Sequence, residues 1–302
     1  MKVKSTGLIL EGGGLRGAFT TGVLDSFMKH EIQFPYTIGV SAGANNGMSY
    51  IAKQYSRSFY CNIFLLRKYN YVGLRHFLNG KGYINLQYLI KDYPEKYMPL
   101  DFEAIKNSKD RFVMVTSNCI TGEPEYFEER TNKERLLDIC QASCSLPILC
   151  PEKYIDGIPM LDGGVCDSIP VCRAREDGFL NNVVILTKPK EYRKPNKKFY
   201  LPKFLLHKYP KLRDQLVMRY IGYNEILDYI DELENKGYVY VIRPKGDMRV
   251  TRTTTNYHLL KELYDEGRME GEKFIRDMEL ISRCSYLENL DKHWYSISSK
   301  LV

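Results

Sequence analysis

Thr6–Leu10 is a short, almost continuously apolar stretch that stops at Glu11. Such a run predicts a strand buried on both faces. The pattern then changes period. Phe19, Val23, Leu24, Phe27 and Met28 fall on one face of a helix. After Pro35, Tyr36–Val40 predicts a second strand, and a second helix follows through Met48 and Ile51. Strand, helix, strand, helix is the order of a parallel sheet covered by helices.

The middle of the chain is more mixed. Phe112–Ser117 and Glu125–Glu129 predict two strands joined around Thr121-Gly122-Glu123-Pro124. A helix is expected from Thr131 towards Ser143, stopped by Pro147. Tyr154–Ile158 and Pro159–Leu161 flank Asp156-Gly157, a hairpin turn signal. Val183–Thr187 predicts another buried strand. Beyond Lys188 the composition shifts to Lys, Pro and Tyr. There Gln215–Asn235 predicts a helix, Tyr238–Arg243 a strand and His258–Arg283 a long helix.

The chain has 302 residues, 44% hydrophobic and 27% charged. These values exclude a mostly disordered chain, a collagen-like fibre and a disulfide-dense miniprotein. No apolar run approaches the roughly 18 residues needed to span a bilayer. Gly7–Leu10 is too short for the core of a signal peptide. A cytoplasmic protein is therefore expected. Its eight cysteines form no CxxC pair, and Cys140, Cys144 and Cys150 are expected as buried small hydrophobes rather than metal ligands.

Charge is unevenly placed. The net charge is +7, and residues 190–214 alone carry nine basic side chains against two acidic ones. Lys190, Arg193, Lys194, Lys197, Lys198, Lys203, Lys208, Lys211 and Arg213 are interleaved there with Tyr192, Phe199, Tyr200, Phe204 and Tyr209. Basic residues with apolar anchors suit an anionic membrane surface and also nucleic acid. A solvated connector with some core anchors is the plainer reading.

Three short pieces carry chemistry. Gly12-Gly13-Gly14-Leu15-Arg16-Gly17 lies between a strand and a helix, where successive N–H groups can face an anion. The anion is either a phosphate or the oxyanion of an acyl-transfer intermediate. The spacing Gly12-x-Gly14-x-x-Gly17 also satisfies a dinucleotide fingerprint. That fold needs an acidic residue at the end of the second strand, whereas this strand ends in Ser41-Ala42-Gly43. Gly39-Val40-Ser41-Ala42-Gly43 fits G-x-S-x-G in its strand-to-helix context, which holds the serine on a sharp turn. Asp162-Gly163-Gly164 follows a short strand, where alone it would pass for an ordinary turn.

In this order, and with Ala142-Ser143-x-x-x-Pro147 between the last two, the pieces resemble the patatin-like phospholipase family over about residues 7–190. The resemblance implies a three-layer α/β/α fold with a mostly parallel sheet. It also implies a Ser–Asp dyad, with Ser41 as nucleophile and Asp162 as general base. The N–H groups of Gly12, Gly13 and Gly14 would form the oxyanion hole. Arg16 matches a basic residue frequent in the family's loop, and Gly17, Gly39, Gly43, Gly163 and Gly164 support the turns. No metal and no organic cofactor is implied.

The expected function is hydrolysis of lipid acyl esters. The alternatives are a soluble carboxylesterase, thioesterase or acyltransferase with the same dyad, and a non-catalytic lipid-binding regulatory protein. His258, near a predicted helix start, is an outside candidate base. The expected organisation is a catalytic domain over 1–190 and a basic connector with a mainly helical C-terminal extension over 191–302. A lipid hydrolase draws its substrate from an interface, so residues 190–214 are expected to touch an anionic membrane peripherally rather than nucleic acid.

Overall fold

The computed structural model describes residues 5–195, 201–202, 204–246 and 249–298, with side chains described up to residue 280. Lys197, Lys198, Phe199, Tyr200 and Lys203 of the basic segment lie outside the described residues.

Eight strands form one mixed sheet: β1 (Thr6–Leu10), β2 (Tyr36–Val40), β3 (Arg111–Asn118), β4 (Pro124–Phe127), β5 (Lys153–Ile155), β6 (Ile158–Asp162), β7 (Asn181–Ile185) and β8 (Val239–Ile242). The order is β5-β6-β3-β2-β1-β7-β8, with β4 also paired to β3. The pairs β3–β2, β2–β1, β1–β7 and β7–β8 are parallel, and β4, β5 and β6 run antiparallel to their neighbours. The turn between β5 and β6 holds Asp156 at φ 50° and Gly157 at φ 80°, the two left-handed residues of a type I′ hairpin.

Alternation along the strands divides the core in two. Leu8, Leu10, Phe112, Met114, Val183 and Ile185 point to one face. Ile9, Val113, Val115, Val184 and Leu186 point to the other. The first face is covered by α1 (Ala18–Lys29), α2 (Ala42–Ile51), α3 (Lys133–Cys144) and α6 (Tyr257–Ser298). The second is covered by α4 (Val171–Glu176) and α5 (Pro210–Asn235). The three layers and the helical C-terminal segment match the expected fold class. Asn132 caps α3 by accepting the Arg135 N–H at 3.1 Å. The helix ends at Cys144, three residues before Pro147. Cys140, Cys144 and Cys150 are buried in the first core.

The boundary expected at residue 190 falls in the connector after β7. Beyond it the chain supplies β8, which adds to the sheet beside β7, and one long helix to each outer layer. Between α2 and β3 lie short helical turns, two of them with π-helical hydrogen bonding, at Tyr60–Phe64 and Gln87–Asp92. No described helix is long and apolar enough to cross a membrane.

Candidate functional site

The site is built where the sheet changes direction. A strand has only two edges. Along Thr116 and Ser117 one edge of β3 is taken by β4 and the other by β6. Up to Val115 the edge now held by β6 belongs to β2, whose Val40 pairs with Val115. The antiparallel β6 therefore enters the lane that β2 leaves. Its last residue, Asp162, pairs with Thr116, one step beyond the Val40–Val115 pair. Ser41 and Asp162 meet there, 121 positions apart in sequence.

Ser41 has φ 54° and ψ −121°. A side-chain-bearing residue reaches this region only under strain, and such strain gathers at functional sites. The small neighbours make the turn feasible. A Cβ on Gly39 would lie 2.7 Å from the Gly43 carbonyl carbon, and one on Gly43 would lie 2.3 Å from the Leu10 oxygen. Ser41 then caps α2, whose N-terminus carries a partial positive charge. Its N–H donates to Ser143 Oγ at 2.8 Å, and Ser143 Oγ donates to the Val115 carbonyl at 2.6 Å. Ser143 thus bridges the gap in the ladder where β2 ends.

Asp162 is 3% exposed. Its Oδ1 accepts the Gly164 N–H at 2.8 Å, while its Oδ2 has no hydrogen-bond partner among the described residues. Burial raises the carboxyl above its ordinary value. The Arg219 charge, the Ser41 hydroxyl, the Arg252 charge and the Gly164 N–H each pull it partly back. A Cβ on Gly163 would meet the Val115 oxygen at 2.2 Å, so the turn packs directly against β3.

The glycine loop starts as β1 ends. Glu11 N–H donates to Ile185 O at 3.1 Å, and Leu15 N–H to Arg252 O at 3.0 Å. Gly12 lies against Ser41, since a Cβ there would be 3.1 Å from the Ser41 Cβ. Gly13 faces Thr187, and Gly14, at φ 57°, sits against the Arg252 backbone. Gly17 packs on Ala42. Arg16 is buried; burial and then Arg252 lower its pKa.

Two features of the site have no signal in the local sequence. Glu11 is buried, with Oε1 accepting from the Tyr223 hydroxyl at 2.6 Å and Oε2 accepting from Thr187 Oγ1 at 2.9 Å. Arg219 donates from Nη2 to Ser168 Oγ at 3.1 Å, and Ser168 Oγ donates to the Gly164 carbonyl at 2.7 Å. Both connect the turns to α5, more than fifty residues or even two hundred away along the chain. His258 is exposed on the first turn of α6.

A pocket of about 590 Å3, open solvent included, opens on Ser41. Its walls include Leu15, Ile63, Val72, Ile84, Leu86 and Leu146. The short turns after α2 thus form one side of the pocket. Its polar groups are largely satisfied within the wall. Asn45 donates to Asn62 at 3.0 Å, Asn62 to Asn46 at 3.0 Å, and Asn46 to Gly17 O at 3.0 Å. An apolar pocket with few convergent polar groups suits an acyl chain.

A serine on a strained strand-to-helix turn thus stands beside a buried carboxyl group and a glycine loop. The family model for patatin-like phospholipases matches residues 8–174, more than half of the chain, and the protein belongs to that family. A second model, a domain of unknown function (DUF6363), matches residues 209–281. The chain is 29% identical over 283 residues to the uncharacterized protein YjjU of Escherichia coli (strain K12), covering 89% of this chain and 76% of that protein. VipD from Legionella pneumophila, solved as a crystal structure, superposes with a TM-score of 0.49 at 13% identity, over 90% of this chain and 67% of that one. Family membership supports lipid acyl hydrolysis in general.

Proposed function

We propose that the protein hydrolyses lipid acyl esters through an acyl-enzyme on Ser41, with Asp162 as the general base. The observation that carries this reading is strained Ser41 acting on the buried Asp162 carboxyl, whose Oδ2 has no hydrogen-bond partner among the described residues. Ser41 Oγ attacks the ester carbonyl as its proton passes to the Asp162 carboxylate. The carbonyl oxygen becomes an oxyanion that the N–H groups of Gly12, Gly13 and Gly14 stabilise. The tetrahedral adduct collapses, the C–O bond to the alcohol breaks, and Asp162 returns the proton to the leaving oxygen. Water then attacks the acyl carbon, gives its proton to Asp162, and releases the fatty acid as Ser41 regains its hydrogen.

Contact with an anionic membrane belongs to the same proposal. Arg193 is tied to Asp228 and Asp231 at 2.9 and 2.7 Å, and the Lys194 nitrogen is buried. The described part of the basic segment thus leaves Lys190, Lys208, Lys211 and the exposed Phe204 to meet a surface, Lys190 lying 3.9 Å from Glu234.

Fatty-acid release from mixed anionic phospholipid vesicles, run beside a short soluble ester, tests the reading. Ser41→Ala is expected to abolish release and labelling by a fluorophosphonate probe. Release from vesicles is expected to fall at high salt, as electrostatic docking requires. Wild-type turnover of the short ester alone would move the substrate to soluble esters. An unreactive Ser41 would overturn the hydrolase.

A further inference from the structure

We propose that Lys188, Lys194, Arg219 and Arg252, joined by Arg16, form a subsite for a phosphate group beside Ser41, and that this phosphate is the headgroup of the lipid ester. The proposal rests on the hydrolase reading above. It gives the region after β7 a role at the reacting end of the molecule.

Buried cations in a stable fold are normally paired. Arg193 illustrates the usual case, with two aspartates on its guanidinium. Its neighbours differ. Among the described residues, Arg16 Nε, Lys194 Nζ and Arg219 Nε are buried and have no hydrogen-bond partner. Arg16 is only 8% exposed. Each such atom needs an explanation, since no hydrogen bond offsets its desolvation.

The groups converge from separate elements. The Arg252 backbone holds Gly14 and Leu15, and Arg252 lines the same pocket as Ser41. Arg219 Nη2 lies 2.9 Å from where a Cβ on Gly164 would stand, two residues past Asp162. Lys194 Nζ sits 3.9 Å from the Tyr223 ring centre, and Lys188 Nζ sits 3.7 Å from that of Tyr192. The two rings meet edge to face with centres 6.2 Å apart. Tyr223 in turn donates to Glu11. The carboxylates acting on these cations are Glu11 and Asp162, and Glu11 is already engaged by Tyr223 and Thr187.

The cluster works against itself. Burial, then Arg219 and Arg252, push Lys194 down to about 6. Burial, then Arg16, pushes Lys188 down to about 8. Burial and then Arg252 push Arg219 down to about 10. A multiply charged anion would reverse every one of these penalties. Phosphate fits better than carboxylate, because several oxygens must satisfy donors arriving from the glycine loop, the connector, α5 and the Arg252 loop. Continuity of Arg252 with the Ser41 pocket favours a phosphate carried by the ester itself.

Two assays on the full chain separate the possibilities. The first measures kcat/KM for phosphatidic acid and for diacylglycerol of the same acyl chains, both in neutral detergent micelles. The wild type is expected to prefer the phosphate-bearing ester by about tenfold or more, and Lys194→Gln or Arg252→Gln to reduce that ratio by a similar factor. No preference in the wild type overturns the headgroup assignment, whatever the variants do. Equal losses on both esters also overturn it, since they mark a structural role. The second assay follows inorganic phosphate by calorimetry with Ser41→Ala protein. Binding that Lys194→Gln weakens supports the site. Such binding without any ester preference would assign the cations to free phosphate and sink the headgroup. If Ser41 proves unreactive while phosphate still binds through Lys194, the hydrolase reading fails and the anion site stands alone. No phosphate binding and no ester preference would overturn the site.

Discussion

Asp162 concentrates the site's conflict at the scale of one residue. Burial disfavours its charge, yet the proposed role as base requires the charged form to accept a proton. The folded carboxyl titrates above its ordinary 3.8, so activity should rise with pH through an acid limb that lies above that value. Stability runs the other way. A carboxyl raised on folding contributes stability that is fully present below its unfolded pKa and is lost as pH rises through the folded one. Asp162→Asn should therefore melt higher than the wild type at neutral pH, with the gap narrowing as the pH falls through the raised folded value and closed below about 4. The same variant should lose about 10²–10⁴-fold in ester turnover. Thermal melts across pH, with turnover measured on the same samples, check both signs together. Near-normal turnover would remove Asp162 as the base.

At the scale of elements, α1 and α6 are joined backbone to backbone. A Cβ on Gly22 would fall 2.0 Å from the Tyr264 oxygen, and one on Gly267 would fall 2.1 Å from the Phe19 oxygen. Gly271, one turn on, packs against Ser26. Close approach places polar groups within reach. Tyr264 donates to Asp25 at 2.8 Å and Ser26 to the Arg268 carbonyl at 2.9 Å. At Gly22 and Gly267 the facing atoms are main chain, so neither helix can yield there by turning a side chain. Gly22→Ala and Gly267→Ala should each cost about 1–3 kcal/mol, read as a lower urea midpoint with an unchanged slope. Gly178→Ala provides no such comparison because its φ is 95°, but Gly222, with open space around it on α5, should tolerate alanine with little or no loss.

At the scale of the molecule, the C-terminal third is woven into both outer layers. Val239 and Ile242 of β8 are buried against opposite faces of the sheet. Leu260, Phe274 and Ile275 of α6 complete one core, and Tyr223, Leu227 and Ile230 of α5 complete the other. A chain ending at residue 190 would expose both faces and the edge of β7. It should bind a hydrophobic dye and lose cooperative urea unfolding. A sharp, two-state transition in that fragment would show that 1–190 folds alone.

Local rules were enough for most elements because period, turn residues and capping act within a few positions. The parallel βα start, the Asp156-Gly157 hairpin and the elbow at Ser41 each depend on residues adjacent in sequence. The stop of α3 before Pro147 and the start of the long helix, expected at His258 and found at Tyr257, were readable for the same reason, whereas its end, expected at Arg283, lies at Ser298. The glycine pattern of α1 and α6 was not, since only a partner helix gives a small residue its meaning. Sequence also left the direction of β6 open, and with it the meeting of Asp162 and Ser41. That meeting requires β6 to occupy the lane vacated by β2 on the edge of β3, a decision of the whole sheet. Charge shows the division most sharply. Composition marked residues 190–214 as basic, but Arg193 and Lys194 diverge although they are adjacent. One found aspartates on α5 and the other a buried place over Tyr223. The sequence by itself determined which chemistry the chain carries, because motifs and periods are local. Only the tertiary structure decided which groups face one another, because burial and pairing depend on partners far away along the chain.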